Sequence, residues 1–207
     1  MFIAVMPLVL GSGSPRRKEL LQGLGLLFSI HPAKASEPEF VPGTDPEEYA
    51  LSAAAAKARE VAESHPNAVI LAADTIVVVD GDVLGKPRNS AEALAMLSRL
   101  AGREHQVITG CSIVARAEAA HARHEACFAV RTKVWMADFD EGILAAYVAT
   151  GEPLDKAGAY GIQERAAFLV ERIEGSYTNV VGLPLAEVAL SLRRAGFIQD
   201  VCGVSAR

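Results

Sequence analysis

LVLGSGSPRRKELLQGL, residues 8–24, is the stretch whose reading decides the fold. An apolar run over 6–10 ends in Gly11-Ser12-Gly13-Ser14. Pro15 then opens a segment with Leu20, Leu21 and Leu24 on one helical face, and Gly25 closes it. The order is strand, loop, helix. Proline suits the first helical position, where its missing N–H would be unpaired in any case, and Ser14 before it is a good cap. The spacing therefore predicts a helix from Ser14 or Pro15. Free N–H groups at a helix start carry partial positive charge, two glycines let a ligand approach the backbone, and Arg16 and Arg17 add full charges. Two cations at the positive end of a helix oppose its dipole unless an anion lies there. The corner reads either as an ordinary capped α/β turn or as an anion site, and the arginine pair favours phosphate. It is not a P-loop, because the Gly-Lys-Ser/Thr ending is absent.

Working outward, 207 residues with half of them apolar support one domain or two closely packed lobes, with a substantial core. A net charge of -5 argues against wholesale nucleic-acid binding and points to a small ligand. Cys111, Cys127 and Cys202 have neither zinc nor CxxC spacing, which suits three reduced thiols in the cytosol. The first apolar run is short, lacks a basic leader and enters a turn at once, so neither a signal peptide nor a membrane span is expected.

Residues 31–48, HPAKASEPEFVPGTDPEE, are rich in proline and acid and read as a loop. Glu37 and Glu39 in it are candidate metal or base carboxylates, or simply solvated acids. Thr44 or Asp45 caps a helix that runs from Pro46 to about Ser64 and carries Lys57. NAVILAADTIVVV, residues 67–79, reads as the most buried strand. Asp74 interrupts it, and a carboxylate there must be bonded to backbone, paired, metal-bound or held at a site mouth, since a buried unpaired charge is expensive. Asp80-Gly81 follows as a tight turn, and Lys86 lies between Gly85 and Pro87 as a possible phosphate ligand.

A capping box of Asn89 and Glu92 opens a helix to Gly102. Residues 103–115 and 124–137 read as a long antiparallel pair. His105, His121 and His124 lack metal-ligand spacing and are expected to be surface or structural. Asp138 or Asp140 caps a helix to about Thr150. GEPLDKAGAYGIQ, residues 151–163, is unusually dense in glycine and polar groups for a plain connection. Asp155 and Lys156 read as a surface ion pair or as part of a site. The Gln163 amide, if not merely solvated, is a donor and acceptor suited to a base edge. A strand over 167–173, a helix over 184–195 and a frayed tail complete the expectation.

These stretches together resemble one family. SGSPRRKELL at 12–21, ADTIV at 73–77, GKP at 85–87, TG at 109–110, GEPLDKAGAYGIQ at 151–163 and NVVGLPL at 179–185 match, in order, the Maf family of nucleoside triphosphate pyrophosphatases. The resemblance implies an α/β fold like that of Maf and inosine triphosphatase proteins. A mixed twisted sheet with flanking helices forms two lobes around a nucleotide-binding cleft, in one domain over 1–207. It implies hydrolysis of a nucleoside triphosphate to monophosphate and pyrophosphate with Mg2+ or Mn2+, usually by a homodimer. Asp74 matches the family's catalytic aspartate and, with Glu37, its acidic metal positions. Ser12, Arg17, Lys57 and Lys86 match positions around the triphosphate, and Arg16, Thr75 and Gln163 those that separate subfamilies. The pattern looks like the subfamily acting on dTTP and UTP, with the 7-methyl-GTP subfamily and a nucleotide sensor in cell-division control as alternatives. Gly11 stands where the family commonly has alanine.

Overall fold

The computed structural model describes residues 2–34, 40–41, 43–116 and 124–201. Its spine is β4 (Val69–Val79), buried along nearly its whole length as the continuous β-branched run predicts. One edge of β4 pairs antiparallel with β6 (Glu104–Ala115), from Val69 opposite Ala115 to Val78 opposite Gln106. β6 returns as β7 (His124–Met136) in the long antiparallel pair expected, and β8 (Val170–Glu174) covers the far end of β7. The other edge of β4 is shared. β2 (Leu8–Leu10) runs parallel to it at Val69–Leu71, with β3 (Ser29–Ile30) outside β2. β5 (Asp82–Leu84) folds back on it at Val77–Val79. Between these two partners, residues 72–76 of β4 have no strand beside them among the described residues, which leaves an open edge.

Helices form where local chemistry caps them. In α1 (Pro15–Gln22) Ser14 accepts from Arg17 N–H, and in α2 (Pro46–Ser64) Asp45 accepts from Glu47 N–H at 2.8 Å. Asn89 caps α3 (Ser90–Leu100) at Glu92 N–H, while the Glu92 carboxylate reaches back to Arg88 N–H at 2.7 Å. Asp140, not Asp138, caps α4 (Glu141–Val148). α5 (Tyr177–Val181) starts at Ser176, and α6 (Leu185–Arg194) carries the last amphipathic face.

α2 lies on one face of the sheet through Ala50, Ala53, Ala54, Ala58 and Ala62. It comes so close that a Cβ on Gly110 would sit 2.4 Å from the Ala50 carbonyl oxygen. The opposite face carries two apolar clusters. One, around Val77, Leu97, Leu100 and Met136, lies under α3 and α4; the other, around Leu10, Leu71, Ile113 and Leu192, lies under α1 and α6. Thr75, Thr109, Thr132 and Asn179 run between them as a polar seam.

Three expectations change at the edges. Directly after α6 the chain forms a strand in place of a tail: β9 (Ile198–Asp200) pairs antiparallel with β1 (Phe2–Ala4), placing Phe2 opposite Asp200, while residues 202–207 lie outside the described residues. Residues 164–169 form a 3-10 turn in place of the start of a strand, because Ala166 and Leu169 bury together at a three-residue spacing. Of the apolar run over 6–10 only Leu8–Leu10 is strand, and a separate short strand, β1, precedes it. Glu37, Glu39, His121 and Cys202 lie outside the described residues. Among the described residues no helix is long and apolar enough to cross a membrane.

Candidate active site

The open edge of β4 is the floor of a cleft of about 440 Å³ that reaches both faces of the sheet. Alternation along a strand sends neighbouring side chains to opposite faces. Asp74 therefore points to the α2 side and Thr75 to the seam, and both line the cleft.

On the α2 side, Asp74 is 5% exposed and its Oδ1 accepts from Lys57 Nζ at 2.6 Å. The ammonium offsets the penalty of carrying a carboxylate into this wall. The second oxygen, Oδ2, has no hydrogen-bond partner among the described residues. A hard oxygen donor of this kind suits a cation that binds through one or two carboxylates and completes its shell with water and phosphate. Among the described residues no group of three His, Cys, Asp or Glu side chains is placed to hold a metal without substrate.

The helix start forms the next wall. Ser12 Oγ accepts from Ser14 N–H at 3.3 Å and from Arg17 Nη1 at 3.1 Å. Arg17 also donates through Nε to the Gly182 carbonyl at 2.8 Å and through Nη2 to Thr75 Oγ1 at 2.9 Å. Arg17 thus ties α1, β4 and the turn after α5 into one unit. Thr75 Oγ1 lies 2.9 Å from Thr109 Oγ1, which donates to the Asn179 carbonyl at 3.1 Å. Hydrogen bonds among the described residues leave the Gly13 and Arg16 N–H groups without acceptors. Lys86 lines the rim and is exposed.

Arg16 Nη1 lies 3.3 Å from Asp155 Oδ2 across the mouth, so part of the negative charge called for by the arginine pair is the protein's own. Burial pushes the Asp155 carboxyl up. The Lys156 hydrogen bond and charge, with the charge of Arg16, outweigh it and hold the group below its usual range.

Lys156 is the residue that sequence reasoning left undecided. It is 6% exposed, and its ammonium donates to the Glu152 carbonyl and to Asp155 Oδ1, both at 2.9 Å. Its stem lies under Gly161, so it braces the loop that brings Gln163 to the cleft. In the same loop Gly158 comes within 2.8 Å of Val77 at a built Cβ, and Ala159 and Glu164 hold positive φ. Non-glycine residues keep that conformation only where the surroundings impose it. Tyr160, beneath the loop, brings its hydroxyl 2.6 Å from His105 Nε2. The density of glycine signalled this loop, but nothing local signalled a buried lysine.

The structure brings Ser12, Arg16, Arg17, Lys57, Asp74, Thr75, Lys86 and Gln163 to one cleft; Glu37 is outside the described residues. Such a cleft presents cations and backbone donors to an anion, with a buried carboxylate beside it.

A family model described as "Maf-like protein" matches residues 7–195. A protein named dTTP/UTP pyrophosphatase from Oleidesulfovibrio alaskensis is 49% identical over 197 residues, covering 95% of this chain and 89% of its own length. One of the same name from Anaeromyxobacter dehalogenans is 49% identical over 190 residues, covering 92% and 94%. A crystal structure of a nucleoside-triphosphatase (dITP/XTP pyrophosphatase) from Mycobacterium abscessus overlays 91% of this chain and 95% of its own. Its identity is 19% and its TM-score 0.43.

Proposed function

The chain belongs to the Maf-like family, and from that premise we propose that it hydrolyses dTTP and UTP to the monophosphate and pyrophosphate. One observation carries the reading. Asp74 is a buried carboxylate with one oxygen on Lys57 and the other without a hydrogen-bond partner among the described residues, in the same cleft as a cationic helix start.

In this reading the triphosphate lies along Ser12, Gly13, Arg16 and Lys86, whose N–H, hydroxyl and cationic groups meet its oxygens. Arg16 exchanges Asp155 for phosphate. Asp74 accepts a proton from the attacking water as its oxygen bonds to the α-phosphorus. The bond from that phosphorus to the bridging oxygen breaks, and the pyrophosphate leaves with the electron pair. Lys57 holds the Asp74 carboxylate in place. Asp74 Oδ2, with Glu37, would hold Mg2+ or Mn2+, which offsets phosphate charge when bound. Arg17 and Thr75 act by position, since their named hydrogen bonds stay within the protein. Gln163 reads the pyrimidine edge, where a donor and acceptor pair rejects the wrong base more strongly than shape does. The reading carries with it a homodimer working in the cytosol.

The test is pyrophosphate release from dTTP, UTP, CTP and 7-methyl-GTP with Mg2+ or Mn2+, for the native chain, Asp74→Asn and Gln163→Glu. The expected outcome is turnover of dTTP and UTP. Asp74→Asn should lower it by a factor of about 100 to 10,000 with nucleotide still bound, and Gln163→Glu should lose the pyrimidine preference. Binding without turnover of any nucleotide would leave a sensor and overturn the enzyme.

A further inference from the structure

The chemistry above gives Thr109 and Asn179 no part, although both are wholly buried. Thr109 stands opposite Thr75 in the β4–β6 ladder, so the two side chains share a face and their hydroxyl oxygens lie 2.9 Å apart. Either could donate, and the surroundings decide which. Thr109 Oγ1 lies 3.1 Å from the Asn179 carbonyl oxygen, which can only accept, so the Thr109 proton goes there. That carbonyl is held in place. Asn179 commits both amide hydrogens, to the Val107 carbonyl at 3.1 Å and to Thr132 Oγ1 at 3.0 Å, and its N–H donates to Ser176 Oγ at 3.2 Å. Thr109 therefore meets Thr75 as an acceptor, and Thr75 donates. Thr75 Oγ1 is left to accept from Arg17 Nη2 at 2.9 Å. At the far end, Arg17 Nη1 and Ser14 N–H both donate to Ser12 Oγ and fill its lone pairs. The Ser12 proton has no acceptor among the described residues, and Ser12 lines the cleft.

On the reading that a triphosphate lies along this helix start, we infer that Thr109 is a positioning residue for it. Its hydroxyl makes Thr75 an acceptor for Arg17. Arg17, seated there, fills the Ser12 oxygen, and the Ser12 proton is left as a donor to a phosphate oxygen. The direction of every bond in the chain is set from the core outward, by the Asn179 carbonyl. A valine at 109 keeps the shape and removes the acceptor. The Thr75 proton then has only the Gly182 carbonyl, 3.5 Å away, which already accepts from Arg17 Nε at 2.8 Å. The guanidinium loses its seat, and the grip on phosphate weakens. Asp74 and Lys57 meet on the other face of β4, so proton transfer to Asp74 is not touched. Binding and turnover should separate.

The test is calorimetric titration with inorganic triphosphate and with dTTP in the presence of Mg2+, beside steady-state hydrolysis of dTTP. Thr109→Val, with Thr109→Ala in parallel in case valine does not fold, should raise Kd and KM about tenfold and keep kcat within about twofold of native. Thr109→Ser, which retains the hydroxyl, should return Kd and KM to native values. In a Thr75→Val background, Thr109→Val should change Kd by less than about twofold, because the hydroxyl has nothing left to orient. A Thr109 that only packs would lower the unfolding midpoint and, through the folded fraction, kcat, with Kd and KM unmoved. That pattern, a serine that fails to rescue, or additive effects of the two valines would overturn the inference. A native chain that binds inorganic triphosphate without hydrolysing dTTP would overturn the reaction proposed above, with the Kd comparison still deciding the role of Thr109. A native chain that binds no triphosphate would overturn both.

Discussion

His105 sits in the core with its Nε2 on the Tyr160 hydroxyl, and burial pushes its pKa down to about 4 from 6.5. Between those two values the unfolded chain takes up a proton that the folded chain refuses. The neutral ring's contribution is therefore fully present above pH 6.5 and is lost as the pH falls toward 4. A shift of that size corresponds to about 3 kcal/mol. Denaturant unfolding at pH 7 and pH 4.5 should show that fall, and His105→Gln, which keeps an acceptor for Tyr160, should flatten it; an unchanged slope would place the pH sensitivity elsewhere. The same comparison shows why residues differ in legibility. Asp74 stood out because a carboxylate inside a β-branched run has few explanations. Lys156 did not, because a lysine after an aspartate in a loop is usually solvated, and its burial depends on the Glu152 carbonyl and Gly161 arriving from other turns.

α2 and β6 meet through main chain as well as through side chains. Gly110 on β6 lets the Ala50–Leu51 peptide of α2 rest on the sheet, with a built Cβ 2.4 Å from oxygen and 2.7 Å from nitrogen. Gly110→Ala must push α2 outward. Overpacking of this kind costs about 1–3 kcal/mol, and because α2 carries Lys57, the 2.6 Å contact with Asp74 should lengthen as well. We expect a lower unfolding midpoint together with a loss of activity larger than the midpoint alone accounts for; loss of stability with full activity would separate helix seating from the site. Elements with local signals were readable in advance. Ser14, Asp45 and Asn89 cap where their chemistry says they should, because a cap needs only three or four neighbouring residues. The β1–β9 pair was not readable, since each strand is three residues long and its partner lies at the far end of the chain. The 3-10 turn at 164–169 shows a related limit: the apolar residues of 166–170 also suit the start of a strand, and burial of Ala166 and Leu169 settles the matter only after folding.

At the scale of the molecule, two apolar clusters share one sheet and the cleft lies over the polar seam between them. A ligand there touches α1 and the turn after α5 on one side and the 151–164 loop on the other, so it should stabilise the fold as a unit. For a ligand at 100 times its dissociation constant, linkage gives about 2.7 kcal/mol. A chain of this length then gains roughly 5–10 °C in unfolding midpoint. Thermal unfolding of Asp74→Asn with dTTP or UTP and a divalent cation should show that rise; no rise at millimolar nucleotide would mean that the folded chain does not bind it. The break in the ladder along residues 72–76 of β4 has a wider consequence. The part of the sheet that a ligand meets there is an edge of peptide groups, which are the same whatever side chains surround them. A side chain on the rim such as Gln163 can therefore be replaced while this backbone edge, and the architecture that exposes it, stay as they are.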